Sequence, residues 1–124
     1  LVKGVEPMYP PGAATFYSNT NTVLLGMVIE QVTGQPIEDV IRSQITEPLE
    51  LDNTLFPTGA EFPEPHAQGY TTQGTEDDLP VDATDWNPSW GWSAGAMISN
   101  LDDLLVWGKA LSTGEGILSP ELQA

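Results

Sequence analysis

The strongest constraint on the fold is an apolar helical stretch that covers residues 21 to 33. Its apolar side chains recur at i, i+4 and i+5, and they are Val23, Leu24, Leu25, Met27, Val28, Ile29 and Val32. A helix with so little polar surface is expected to be buried on most sides. Gly34 suits the position just after the helix, and Pro36 suits the first turn of the next one.

Two further helices, and the start of another, are predicted after this stretch. Residues 36 to 45 place apolar side chains on one face and charged side chains on the other, which predicts an amphipathic helix. Residues 101 to 111 predict a second one, opened by a capping-box variant with Ser99 as the cap and Asp102 at its third position. Residues 119 to 122 predict the cap and first turn of one more helix.

A long irregular segment separates these helices. Residues 52 to 90 contain repeated prolines and a cluster of acids, and they show no sustained helical or strand period. An irregular segment of this length is usually functional or packed over a partner. The local pattern therefore predicts a single, mainly α unit with a long loop and little strand.

The charge balance excludes several classes of partner. The 124 residues contain 18 acidic and 3 basic side chains, so the net charge is −15. A surface of that sign repels phosphate backbones, so nucleic acid is excluded as a partner and anionic membrane surfaces are disfavoured. No run of 18 apolar residues is present, so we expect no membrane insertion. The absence of cysteine excludes disulfides, thiol catalysis and zinc–thiolate sites.

Three hydrogen-bonding side chains, Tyr17, Ser18 and Asn19, stand together where the first helix begins. A phenol can transfer protons, and an amide can donate one hydrogen bond while it accepts another. A helix N-terminus favours developing negative charge. Taken alone, the three residues favour a simpler interpretation, in which Asn19 or Thr20 caps the helix and Phe16 or Tyr17 packs as a hydrophobic staple. A functional role therefore depends on the flanking sequence.

The flanking motifs supply that support. They run in one fixed order along the chain: Pro11-Gly12, Tyr17-Ser18-Asn19, Leu24-Leu25-Gly26-x-x-Ile29-Glu30, Thr33-Gly34, Pro48-Leu49, His66-Ala67-x-Gly69-Tyr70, Ser93-Ala94-Gly95-x-x-Ile98-Ser99 and Ala110-Leu111. The series resembles the serine β-lactamase and penicillin-binding superfamily, in particular class C β-lactamases and secreted serine D-alanyl-D-alanine carboxypeptidases. It extends from residue 10 to residue 122. A set of matches in fixed order is much more specific than any single motif.

The resemblance implies acyl-transfer chemistry in which a serine of a Ser-x-x-Lys motif attacks a lactam or a D-alanyl peptide carbonyl. It implies that Tyr17 helps to shuttle protons and that Asn19 binds the substrate amide. Ser18 is the middle residue of the motif, and Tyr-Ser-Asn is more similar to the carboxypeptidases and related esterases than to class C β-lactamases. Trp90 resembles a carboxypeptidase residue that walls the substrate cleft, although a loop-anchoring role is equally compatible with the sequence.

The departures from the family pattern are equally informative. The 124 residues contain no Ser-x-x-Lys and no Lys-Thr-Gly or His-Thr-Gly, and Ser112-Thr113-Gly114 lacks the cation. We therefore expect residues 1 to 124 to be the central helical subdomain of the α+β serine β-lactamase fold, cut from a larger enzyme and inactive alone. Neither Lys3 nor Lys109 is an obvious substitute for the missing lysines, so we expect Tyr17 to stay protonated at neutral pH.

The remaining candidates have simpler explanations. Trp107 lies on the apolar face of its helix and is predicted to be core, and Trp86 and Trp92 are predicted to pack. His66, the one histidine, is predicted to be a structural loop residue. The acids at 76 to 78 and 82 to 85 lack the ligand spacing of a calcium loop, so we expect no metal and no cofactor.

Two functional hypotheses follow. The first is a fragment of an extracytoplasmic bacterial serine hydrolase that acts on D-alanyl peptides, β-lactams or small esters. The second is a non-catalytic module of the same fold that binds a peptide or a partner protein. A separate expectation is that the isolated chain exposes apolar surface and self-associates through it.

Overall fold

The computed structural model describes residues 3–60, 62–75 and 77–123 and is mainly helical, as predicted. Its elements in chain order are helix α1 (Asn19–Thr33), helix α2 (Ile37–Ile41), a π-helical turn (Arg42–Thr46), strands β1 (Tyr70–Thr71) and β2 (Val81–Asp82), a 3-10 segment (Pro88–Ala94), helix α3 (Leu101–Thr113) and helix α4 (Pro120–Gln123). Helix α1 packs mainly against the 3-10 segment and against α2. This packing places the Tyr17-Ser18-Asn19 motif beside the tryptophan-rich segment.

Helix α1 begins at Asn19 because Ser18 caps it. The Ser18 backbone is extended, and its Oγ accepts a hydrogen bond from the Thr20 N–H at 3.3 Å. The sequence-based alternative with Asn19 or Thr20 as the cap is therefore wrong, and the predicted start at residue 21 was two residues late. Gly34 ends the helix as predicted, with φ 69° and its N–H donating to the Glu30 carbonyl.

The prediction that α1 is buried on most sides is wrong for the described residues. Gly26 is the buried residue of the helix, while Leu25 and Val28 are largely exposed and Val32 is 79% exposed. Val23, Gly26 and Ile29 are not exposed, and their spacing of three residues places them on one side of the helix. An apolar pattern indicates that a surface has a partner, but it does not indicate where in the sequence that partner lies.

The second predicted helix changes its hydrogen-bonding pattern halfway along. It starts as an α-helix at Ile37, whose N–H donates to Glu30 Oε1 at 3.1 Å. From Arg42 it continues as a π-helical turn, in which the Glu47 N–H donates to the Arg42 carbonyl at 2.9 Å. Ile37 and Val40 are buried, so this segment provides part of the small core that also contains Leu51, Ala96 and Ala110.

Helix α3 is capped one residue later than predicted. Asn100 is the cap, because its side chain accepts from the Asp103 N–H at 2.9 Å, so the predicted Ser99–Asp102 box is wrong. Asp103 is only 6% exposed, and its carboxylate accepts from the Asn53 N–H at 2.9 Å and from the Thr54 hydroxyl at 2.7 Å. The Thr54 bond is the main cause that lowers the pKa of Asp103.

The segment between α2 and the 3-10 turn is irregular, as predicted, apart from a small antiparallel hairpin. Strand β1 pairs with β2, with Tyr70 opposite Asp82. A separate pair of backbone hydrogen bonds joins Leu55 to Ile98 at 3.0 Å, which ties the start of the loop to the residues before α3. The little strand present confirms the predicted fold class.

Candidate active site

The Tyr17 and Asn19 side chains are directly bonded at the mouth of α1. The Tyr17 hydroxyl donates to Asn19 Oδ1 at 2.7 Å, and the tyrosine is 78% exposed. The Asn19 amide nitrogen makes no hydrogen bond with any residue that the structure describes. Because the cap is supplied by Ser18, neither the Tyr17 nor the Asn19 side chain is needed to start the helix.

Asn19 lines a cleft of about 490 Å³, and Tyr17 is joined to this cleft through its hydrogen bond to Asn19. One wall is formed by Asn19 and Val23 of α1. The opposite wall comes from the 3-10 segment and the residues before it: Trp86, Asn87, Pro88, Trp90, Gly91, Ala94 and Gly95. The volume falls in the range of small-ligand sites, and the lining combines aromatic faces with amide groups as such sites do.

The structure places Trp90 on this wall with 83% of its surface exposed. Trp86, which was predicted to pack, lies on the same wall and is 52% exposed, so that prediction is wrong. Trp92 is half-buried, in keeping with its predicted packing role. Trp107 is also only half-buried and is not one of the buried core residues, so the prediction that it is core is wrong. The signal that sequence reasoning missed is the spacing of Trp86 and Trp90 on either side of the Asn87-Pro88 turn.

Among the residues that the structure describes, no charged side chain lines the cleft. Two of the basic side chains have acidic partners elsewhere: Arg42 lies 2.6 Å from Asp39, and Lys109 Nζ lies 3.1 Å from Glu115. The cleft is therefore suited to bind an uncharged, apolar or aromatic group while the Asn19 amide pairs with an amide of the ligand.

A single family accounts for these features. The family model described as Beta-lactamase matches residues 1–124. The chain belongs to the Beta-lactamase family. This membership confirms the resemblance drawn from the ordered motifs and makes the chain part of a family of serine hydrolases.

Solved structures of related hydrolases support the assignment. The chain superposes on a D-stereospecific amidohydrolase from Streptomyces sp. with TM-score 0.86 and 39% identity, covering 95% of this chain and 34% of that one. It superposes on D-amino acid amidase from Ochrobactrum anthropi SV3 with TM-score 0.75 and 37% identity, covering 91% of this chain and 33% of that one.

A curated relative carries a related name. The chain is 38% identical over 56 residues to the Escherichia coli (strain K12) protein named "Putative D-alanyl-D-alanine carboxypeptidase", covering 45% of this chain and 13% of that protein. The chain thus spans about a third of the matched structures and 13% of this curated relative.

His66, the other side chain that could take part in chemistry, has local partners. His66 Nδ1 lies 3.1 Å from the Pro63 carbonyl, and the ring packs edge-on against Phe62 at 4.9 Å. His66 lines a different cavity from that of Asn19, which agrees with its predicted structural role.

The acidic loop likewise shows local bonding. Asp82 accepts from Thr84, which lowers the pKa of Asp82, and Glu76 of the predicted acidic cluster lies outside the described residues. Within the described ranges no three His, Asp or Glu side chains group as metal ligands. No helix in those ranges is long and apolar enough to cross a membrane.

Proposed function

We propose that the cleft between α1 and the 3-10 segment is half of the active site of a serine hydrolase that cleaves amide bonds next to D-amino acids. The observation that carries the proposal is the Tyr17–Asn19 hydrogen bond of 2.7 Å at the edge of an uncharged aromatic cleft. Further support comes from the names of three relatives, two amidohydrolases and one carboxypeptidase, each of which refers to D-configured compounds.

In this proposal each site residue has a distinct role. Tyr17 moves a proton between the attacking serine and the leaving amine, and the Asn19 amide nitrogen donates to a carbonyl of the substrate. Trp90, with Trp86, forms the wall for an apolar substrate group. Ser18 contributes to substrate binding by fixing the turn between the two functional side chains through its bond to the Thr20 N–H.

The attacking serine and its lysine belong, in this proposal, to a part of the protein outside residues 1–124. Support comes from the absence of Ser-x-x-Lys in the sequence and from matched structures about three times as long. The 124 residues are then one fragment, a helical subdomain, and the chain alone does not acylate. As in relatives of this kind, we place the whole protein outside the cytoplasm of a bacterium, acting on peptidoglycan-type peptides, other D-amides, β-lactams or esters.

The alternative is a non-catalytic member of the same fold that binds a peptide or partner protein. It is favoured by the same missing motif, since a cleft with Asn19 and Trp90 but no nucleophile can bind an amide without cleaving it. The two proposals differ in one respect. Only the enzyme forms a covalent acyl intermediate.

The test is labelling with a fluorescent penicillin, together with hydrolysis of D- and L-phenylalanine amide. Both are applied to the chain of 124 residues and to the longest protein that contains it. The enzyme proposal expects a labelled long protein that prefers the D-amide, and an unlabelled chain. Absence of both labelling and hydrolysis in the long protein favours the binding module, whereas stable labelling without amide hydrolysis favours a penicillin-binding carboxypeptidase with another substrate.

The exposed apolar surface supports a separate proposal about the chain alone. Leu25 and Val32 of α1, and Leu101 and Leu105 of α3, are all more than half exposed. Contiguous apolar surface on a single chain favours association. We propose that the isolated chain self-associates through these faces, and sedimentation velocity at increasing concentration tests this.

A further inference from the structure

We propose that Ser93 and Trp92 are positioning residues that clamp the tryptophan wall to α1 and thereby set the width of the cleft. The inference rests on the proposed function of the cleft, and it adds residues that do not line it. Neither residue is among those that form its walls.

The clamp is a close contact between the 3-10 segment and the middle of α1. The Ser93 hydroxyl donates to the Thr22 carbonyl at 3.0 Å, 71 residues away in sequence. A Cβ placed on Gly26 would lie 2.5 Å from Ser93 Oγ and 2.8 Å from Ser93 Cβ. Only glycine allows this approach, which explains a glycine inside a helix where alanine would be the better helix former.

Trp92 holds the other side of the same contact. Its backbone has φ 40° and ψ −134°, a conformation that is unusual for a bulky residue. Its carbonyl accepts from the N–H groups of Gly95 and Ala96 at 3.2 and 3.0 Å, and its indole reaches the position of a Gly26 Cβ at 3.2 Å. Such strain persists only where the surroundings fix it, and it concentrates at functional sites.

The clamp residues lie close in sequence to both cleft walls. Asn19 and Val23 precede Gly26 by about two turns and one turn of α1. Trp90 and Gly91 precede Ser93 by three and two residues. A change at the Ser93–Gly26 contact therefore alters the distance between Asn19 and Trp90. A substrate with a large apolar group, which touches both walls, senses this change more than a small one.

The kinetic test compares Ser93→Ala with wild type in the long protein, using D-phenylalanine amide and D-alanine amide. Loss of one neutral hydrogen bond predicts a KM for the phenylalanine amide raised about threefold to tenfold. We expect kcat to change by less than about twofold, because Ser93 touches no reacting atom, and the KM for the alanine amide to stay close to wild type.

The control variant is Gly34→Ala, which strains the left-handed end of the same helix and would contact no atom within 4 Å. It destabilises α1 without touching the clamp, so its KM values should match wild type. An unchanged KM in Ser93→Ala, or an equal rise in both variants, overturns the proposal.

A second measurement does not depend on activity. In the chain labelled with ¹⁵N, we expect Ser93→Ala to shift the Trp90 indole N–H and the Asn19 amide signals, and Gly34→Ala to leave them in place. The Trp90 signal is assigned by its loss in Trp90→Phe. If wild type hydrolyses no amide, the proposed function fails and this spectrum alone decides the clamp. Unshifted signals in Ser93→Ala overturn it.

Discussion

Replacement of Gly26 by alanine should destabilise the chain, although alanine is the better helix former. The higher helix propensity of alanine contributes about 0.8–1 kcal/mol of stability. Against this, overpacking against Ser93 costs about 1–3 kcal/mol, and displacement of Ser93 from the Thr22 carbonyl costs about 0.5–1.5 kcal/mol. The contacts of 2.5 and 2.8 Å involve the short Ser93 side chain, which cannot swing away. We expect a net loss between about 0.5 and 3.7 kcal/mol, with the middle of the range near 2 kcal/mol.

Gly108→Ala is the matched control, because Gly108 also lies inside a helix, α3, and a Cβ there would meet nothing within 4 Å. It should stabilise the chain by about 0.8–1 kcal/mol. The assay is urea unfolding followed by tryptophan fluorescence at one protein concentration, with the slope of the transition checked for constancy. Stabilisation by Gly26→Ala similar to that by Gly108→Ala would refute the account of the α1 contact.

Three other predictions concern caps, protonation and association. Because the pKa of Asp103 is lowered in the folded chain, its contribution to stability is complete above the ordinary aspartate value of about 4 and is lost as pH falls below it. Asp103→Asn should be less stable than wild type at neutral pH and should lose less stability than wild type when the pH is lowered. Equal profiles of stability against pH for the two proteins would contradict this. Gly34→Ala should lower the free energy of unfolding by about 1–2 kcal/mol, because alanine is strained at φ 69°. The urea midpoint measures this loss, and an unchanged midpoint would contradict the prediction. Leu105→Glu should lower the sedimentation coefficient of the associated chain at high concentration, and a monomeric wild type would refute self-association.

Much of the local structure could be predicted from the sequence because the signals for it are local. The predicted bounds of α1 and α3 lie within two residues of the observed ones, and Gly34 was correctly predicted to end α1. Both succeed because helix periodicity and glycine conformation act within a few residues. The cap was misplaced by one or two residues in α1 and by one residue in α3. Ser18 and Asn100 stand beside other residues that can also cap, and only the backbone conformation selects between them.

The long-range features could not be predicted in the same way. The contact of Ser93 with Thr22 joins residues 71 apart, so no spacing rule indicates it. The one signal was Gly26 itself, since a glycine within a strong helical pattern often marks a close approach. The exposure of Trp86 and of most of α1 also depends on which surfaces the rest of the structure covers, and composition does not contain that information.

The most direct test of the central claim is the kinetics of Tyr17→Phe in the long protein with D-phenylalanine amide as substrate. Tyr17→Phe keeps the ring at the mouth of α1 and removes only the hydroxyl that bonds to Asn19. If Tyr17 transfers a proton during amide cleavage, kcat should fall by about 10²–10⁴-fold with folding unchanged. A kcat within about threefold of wild type would show that Tyr17 has no part in the chemistry, and the proposed active site would then be wrong.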